Sequence, residues 1–407
     1  MTRISILLGV IAVVCGLGAE TPSIGNVSLR HGGRVVTVDY TLAHGPAIVT
    51  AEFATNGVPV DSGWPFSMPG DVARVVTNEV CRFCWTLDLG NPGLVADELS
   101  VMLKAWPLET PPDYLVVDFV KATNVLYFAS EATLPGGIGN LAFRTNAIVM
   151  KRIPVSSSEW RMGVDSSYPY QGNASWEVPH YVKMTKDYYI GVFPLTQGQF
   201  RHFQGASTPA SAQSVENGYP DGDLKPLTAY NFNDVRGTAN WPSEGHAVKA
   251  NTFIGKLRAR TGIEFDFPTE VQWEYACRAG TSTWHYNGNN TATLDEIAWY
   301  NDNVAQGYDT KQMHPVGLKK PNAFGIYDMI GNCYEFVLDW FVQDLSPAEF
   351  YLDSVGPTNG TERVTRSGNW SQVASSQNSC YRRKCPPSSG SVNNGFRLAC
   401  PCPAPAN

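Results

Sequence analysis

Between Ser367 and Cys385 the chain reads SGNWSQVASSQNSCYRRKC, ending with Cys380 and Cys385 five residues apart and Arg382 and Arg383 between them. Two thiols at this spacing beside fixed positive charge can work in two ways. Arginines favour the thiolate, the nucleophilic and metal-binding form, so the segment could be a reactive pair with Arg382 and Arg383 steering a substrate. The same cysteines could instead be staples, because an oxidising compartment converts thiols into disulfides that hold loop-rich folds together. A second concentration of chemistry is DMIGNCYEF, where Asp328 and Glu335 stand seven residues apart with Gly331 at a bend. Two carboxylates plus inward-turned carbonyls can form the hard oxygen cage that calcium prefers. On their residue types alone they read as hydrogen-bonded turn residues.

The remaining candidates carry less. Cys81 and Cys84 form a CxxC, but in a strand they face opposite sides, and neither a second pair for zinc nor a thioredoxin-like βαβ pattern accompanies them. Cys400 and Cys402 are too close to bridge each other easily. The seven histidines, at 31, 44, 180, 202, 246, 285 and 314, contain no HxxxH or HExxH arrangement. His180 and His314 each adjoin a proline and read as structural. There is no GxSxG elbow and no Gly-rich phosphate loop. The 30 basic and 37 acidic residues give a net charge of −7 without a Lys/Arg stripe, which excludes nucleic acid as a partner.

These residues need a scaffold, and 407 residues exceed one ordinary hydrophobic core. Residues 1–19 read as a cleaved secretory signal, with one Arg, an apolar stretch from Ile4 to Val14 and small residues after it. That stretch is too short for a membrane span, and Cys15 raises lipid anchoring as an alternative. Export leaves eight cysteines in a compartment that permits disulfides.

From 20 to 106 short apolar/polar alternations separated by turns predict a β-sandwich of immunoglobulin or fibronectin type. Its first hairpin turns at Gly32 and Gly33 and buries Val36, Val38 and Tyr40; a second turn lies at Asn56 and Gly57. Residues 107–147, opening with PLETPPDY, form a linker and connecting strands before a second domain over 148–402 and a tail, 403–407. In that domain Ala247, Ala250, Phe253, Ile254 and Leu257 recur at helical spacing up to Gly262. A further helix starts at Thr269, with Gln272 completing a capping box, and closes at Gly280.

The second domain resembles the formylglycine-generating enzyme, or sulfatase-modifying factor, family. The likeness runs in order through IVMKRIPVSSSEWRMG, EVPHYVKMTKDYYIGVFPLTQGQFRHF, FDFPTEVQWEYACRAG, HPVGLKKPNAFGIYDMIGNCYEFVLDW and RVTRSGNW…NNGFRLA. It implies an α+β, C-type-lectin-like fold with two short helices, small twisted sheets and much irregular structure. Trp273, Tyr275, Trp299, Trp340 and Trp370 are then core residues. The resemblance also implies a calcium site made by the side chains of Asp328 and Glu335 and the backbone oxygens of Gly331 and Cys333. It implies a disulfide from Cys277 to Cys380, with Cys385 as the alternative partner.

The family's reaction oxidises a cysteine of a client sulfatase to an aldehyde, using two cysteines that bind copper(I). Counted from Gly368-Asn369-Trp370, those positions fall here on Gln372 and Gln377. Copper(I) is therefore not expected. The expectation is an exported, extracytoplasmic protein whose C-terminal domain is a binding or scaffold module for a polypeptide or glycan. An active oxidase using Cys380 and Cys385 is the alternative.

Overall fold

The computed structural model describes residues 21–63, 68–86, 98–120, 124–156, 158–164, 176–204, 222–305, 313–345 and 351–402, with the backbone at 5–6 and 9–10. Cys15 lies outside these residues, as does most of the segment expected to be a signal. The chain divides into two compact units: Met1–Val117 with Val125–Phe143 and Cys402–Asn407, and Asp118–Asn124 with Arg144–Pro401.

Strands dominate the first unit. Strands β1 (Ser5–Ile6) and β2 (Gly9–Val10) run parallel to β9 (Glu98–Trp106). Strand β3 (Ser23–Gly32) pairs with β4 (Val35–Ala43), and β4 with β8 (Val80–Thr86), all antiparallel. A second sheet joins β5 (Ala47–Thr55) to β9, β6 (Val58–Val60) and β7 (Arg74–Val76). The second expected turn is present, and the first falls one residue late, at Gly33 and Arg34, because Gly32 ends β3 paired with Val35. Gly33 has φ +62°, and Asn56 and Gly57 take φ +49° and +76°, the left-handed pair that a two-residue hairpin needs.

Alternation sorts the faces as the sequence implies. Val36, Val38 and Tyr40 of β4 are buried, as are Cys81, Phe83 and Trp85 of β8, while Cys84 faces the other way beside Thr37. Phe53 of β5 stacks on Trp85 with centroids 4.0 Å apart. The stretch expected to link the domains contributes β10 (Tyr114–Asp118) and β11 (Asn124–Phe128), and its Pro111 and Pro112 are buried.

The second unit mixes a few short helices with small sheets. Strands β12 (Ala147–Ile153), β15 (Tyr188–Gly191) and β20 (Ala399–Pro401) are neighbours, and β13 (Trp160–Met162) pairs with β14 (His180–Val182). The sheet that carries the chemistry has the order β18 (Arg382–Cys385), β17 (Arg363–Arg366), β16 (Tyr334–Trp340), β19 (Asn394–Gly395).

Helices are α1 (Gln197–Gln204), α2 (Phe232–Arg236), α3 (Phe253–Thr261) and α4 (Glu270–Arg278). Helix α3 starts later than apolar spacing suggests, because the Thr252 side chain accepts from Gly255 N–H and fixes the N-terminus there. Ala247 and Ala250 therefore precede the helix. Helix α4 has the expected box: Thr269 N–H donates to Gln272 Oε1 at 2.9 Å and Gln272 N–H to Thr269 Oγ1 at 3.3 Å. Its left-handed cap is Ala279, φ +47°, one residue before Gly280.

Candidate functional site

Strand β17 leads into a loop whose first residues, Ser367, Gly368 and Asn369, are buried. Ser367, at φ +71°, accepts Gly331 N–H at 3.0 Å, and Gly368 lies directly under the Gln377 carboxamide. A Cβ on residue 368 would sit 2.2 Å from Gln377 Oε1, so glycine is what permits this approach. The Gln377 side-chain N–H donates to the carbonyls of Asn369 (3.1 Å) and Gln372 (3.5 Å). The Gln377 side chain thus reaches the main chain of Gln372, and neither of the two positions expected to correspond to thiolate ligands offers the soft sulfur that copper(I) needs.

Neighbouring segments close around this loop. Trp370 N–H donates to the carbonyl of Asn332, whose own N–H donates to the carbonyl of Trp299. The Trp299 ring stacks on His314 at 3.6 Å and 2°, and Lys319 Nζ lies 3.7 Å from its centroid on the cation–π axis. His314 Nε2 contacts the Val304 carbonyl at 3.0 Å, a packing role, and His180 Nδ1 likewise contacts that of Val178 at 2.9 Å. Among the described residues, Trp299 Nε1, Asn369 Nδ2, Trp370 Nε1 and Gln377 Oε1 are buried polar atoms without a hydrogen-bond partner. Polar groups of this kind are rare inside proteins, and here four of them occupy one loop system.

Cys380 and Cys385 do not converge. Arg366 pairs with Arg382 and donates to the Cys380 carbonyl, whereas Cys385 pairs with Arg363 at the far end of the β17–β18 ladder. The three strand steps from Arg382 to Cys385 alone span roughly 10 Å. Cys380 Sγ contacts Asn378 Oδ1 at 2.8 Å, and Cys385 Sγ accepts from Asn394 Nδ2 at 3.2 Å. Burial raises the pKa of both thiols, so the thiolate form is disfavoured.

Cys277 is pushed up to about 12 by burial and lies against Ser379, the neighbour of Cys380. Cys81, Cys84, Cys277, Cys333, Cys380 and Cys385 are thiols here, outside any disulfide.

Arg382 cannot steer a substrate, because it is buried. It forks onto Glu270 (Nε–Oε1 2.6 Å, Nη2–Oε2 3.0 Å) and donates to the carbonyls of Trp176 and Val342. Strand alternation turns Arg383 outward instead, where its Nη1 donates to the Tyr334 hydroxyl at 3.1 Å.

Asp328 and Glu335 are buried, but their oxygens are taken. Arg397 donates through Nε to Glu335 Oε2 (2.6 Å) and through Nη2 to Oε1 (2.7 Å), while Trp273 Nε1 donates to Oε2 (2.7 Å). Asp328 Oδ2 accepts Gly317 N–H at 2.7 Å, and Arg397 Nη2 also reaches the Asp328 carbonyl at 3.3 Å. Gly331 and Cys333 adjoin this pair, and the Cys333 thiol is fully buried. The fixed cation among these groups is a guanidinium, and this arrangement does not fit calcium at Asp328, Gly331, Cys333 and Glu335.

The sequence left one network unseen. Helix α4 presents Glu270 and Glu274 one turn apart. Arg366 donates to Glu270 Oε1 (2.9 Å) and to Glu274, which also pairs with Arg278 (2.8 Å). All four are buried, and this charged frame fixes β17, hence the loop beyond it, against α4. The helical spacing of the two glutamates was the available signal.

The second unit is thus a loop-rich mixed α/β domain in which the loop from β17 to β18 is buried at Ser367 to Asn369 and at Gln377 to Cys380 and open at Ser371 and Val373. The model for the sulfatase-modifying factor enzyme 1-like domain matches residues 146–401, and the chain belongs to this family. The formylglycine-generating enzyme of Mus musculus is 31% identical over 147 residues, covering 32% of this chain and 38% of that protein. That of Thermomonospora curvata is 35% identical over 149 residues, covering 32% and 48%. The chain therefore spans less than half the length of these two relatives. Among solved structures, Treponema denticola variable protein 1 aligns with a TM-score of 0.48 and 24% identity, covering 63% of this chain and 95% of that one.

Proposed function

We propose that this is an exported protein whose C-terminal domain is a binding or scaffold module for a polypeptide or glycan and has no copper–cysteine centre. The observation that carries this reading is glutamine at both of the family's expected thiolate positions, with the Gln377 carboxamide donating to the main-chain carbonyls of Asn369 and Gln372. The separation of Cys380 from Cys385 along the β17–β18 ladder supports it as well. The C-terminal fold is read as C-type-lectin-like. The two sheets of the N-terminal unit, with Phe53 stacked on Trp85, support an immunoglobulin- or fibronectin-type sandwich that would serve display outside the cytoplasm.

Incubating the full chain with copper(I), oxygen and a Cys-x-Pro-x-Arg peptide tests the reading. The peptide should keep its thiol, whereas aldehyde formation that depends on Cys380 would establish the oxidase instead. Among the described residues no helix is long and apolar enough to cross a membrane.

A further inference from the structure

The backbone ladder of strand β5 leaves one residue out. Asn56 N–H donates to the Glu98 carbonyl at 3.1 Å, and the register of β5 with β9 then places Thr50 opposite Lys104 and Glu52 opposite Met102. Alternate residues of an antiparallel strand turn their N–H and C=O to opposite edges, so Thr50, Glu52 and Ala54 face β9 while Val49, Ala51, Phe53 and Thr55 face the other edge. The Val49 carbonyl is taken on that edge by Ala73 N–H at 2.7 Å. There β7 covers Ala47 to Val49 and β6 covers Phe53 to Thr55. Ala51 lies between the two, and no described residue hydrogen-bonds its N–H or its carbonyl.

This gap is a cavity of about 130 Å³ in the N-terminal unit. Ala51 lines it, with Val60 and Ser62 where β6 leaves the edge and Val72 and Ala73 where β7 joins it. From Val49 to Phe53 is four strand steps, roughly 13 Å, which is room for one extended residue and a peptide unit on each side of it. The Ser62 hydroxyl is a further buried polar group without a hydrogen-bond partner among the described residues. An unpaired donor and acceptor on one residue of a sheet edge form a template for another chain. A residue opposite Ala51 would exchange both hydrogen bonds with it, and its side chain would fall on the face shared by Phe53 and Val60, which also line the cavity. An apolar cavity of about 150 Å³ accepts a benzene-sized guest, so the space suits a branched aliphatic side chain.

We propose that this gap takes one extended aliphatic residue of a partner polypeptide, its N–H on the Ala51 carbonyl and its carbonyl on the Ala51 N–H. The test is amide-resolved NMR of the isotope-labelled full chain. Without ligand, the Ala51 N–H should exchange with solvent at least about tenfold faster than those of Thr50 and Glu52, which β9 protects. Nα-acetyl-leucine N-methylamide should slow that exchange and bind about tenfold more tightly, one 1.4 kcal/mol step, than the ester analogue in which oxygen replaces the leucine N–H. Ala132→Trp, at an exposed lining position, should abolish binding of both compounds while Thr50 and Glu52 stay protected. An Ala51 N–H already protected in the free chain, absence of saturable binding, equal affinity for amide and ester, or binding that survives Ala132→Trp would overturn the proposal.

Discussion

The Gln377 side-chain amide donates to the Gln372 carbonyl at 3.5 Å, locked in place by Gly368 beneath it and by the Asn369 carbonyl beside it. Where the family's oxidases would need two thiolates facing one soft ion, this loop closes on itself through neutral amides.

The Glu335–Arg397 fork predicts indifference to calcium. With both Glu335 oxygens held by Arg397 and Trp273, a chelator has no stabilising ion to remove. The melting temperature should be the same with excess chelator and with added calcium. A fall on chelation, abolished by Asp328→Ala, would show that an ion displaces the arginine.

Arg366 should be among the costliest single residues to replace. It neutralises Glu270 and Glu274 together, and removing one partner of a buried ion pair costs about 3–5 kcal/mol because a charge is left unpaired. Arg366→Met should lose that much in urea denaturation. A loss below about 1 kcal/mol, the range of exposed pairs, would mean that the network relaxes or hydrates.

Asp339 predicts a pH dependence. Burial, then the neighbouring Glu270 charge, pushes its carboxyl up to about 7, while Glu270 N–H donates to it at 2.7 Å, and Arg382 and Arg363 oppose the shift. The unfolded group titrates at about 3.9, so between roughly pH 4 and 7 the folded state holds a proton that the unfolded state has released. Stability from this group is full below pH 4 and falls as pH rises through 7, by an amount on the order of a few kcal/mol. Asp339→Asn should remove that slope, read as the difference between the two proteins' denaturation free energies from pH 4 to 7.5. Parallel profiles would refute the assignment.

Cys277 and Cys380 are proposed to cross-link in protein made in an oxidising compartment, since Cys277 lies against Ser379. Mass spectrometry of non-reduced, alkylated peptides should recover Cys277 joined to Cys380, or to Cys385 if the strand end shifts. Finding all three alkylated would leave them as buried thiols.

What could be read in advance was what local chemistry dictates. The α4 capping box, the Asn56-Gly57 turn, the inward face of β4 and the outward turn of Cys84 each depend on a few neighbouring residues. The start of α3 was misplaced because Ala247 and Ala250 fit the helical period while the capping geometry of Thr252 overrode it. Arg382 looked like a steering charge because sequence adjacency does not show that strand β18 turns it inward. Its partner Glu270 lies 112 residues away, and Arg397 and Glu335 are 62 apart, distances at which only the folded chain reveals a pair.

The central claim is tested most directly by anaerobic copper(I) titration of the reduced full chain against a competing chelator, beside Cys380→Ser and the double variant Gln372→Cys with Gln377→Cys. The wild type should bind copper(I) no more tightly than Cys380→Ser, while the double variant should gain one equivalent, because it places thiols at both positions where the family's ligands are expected. Stoichiometric binding by the wild type that is lost in Cys380→Ser would contradict the account.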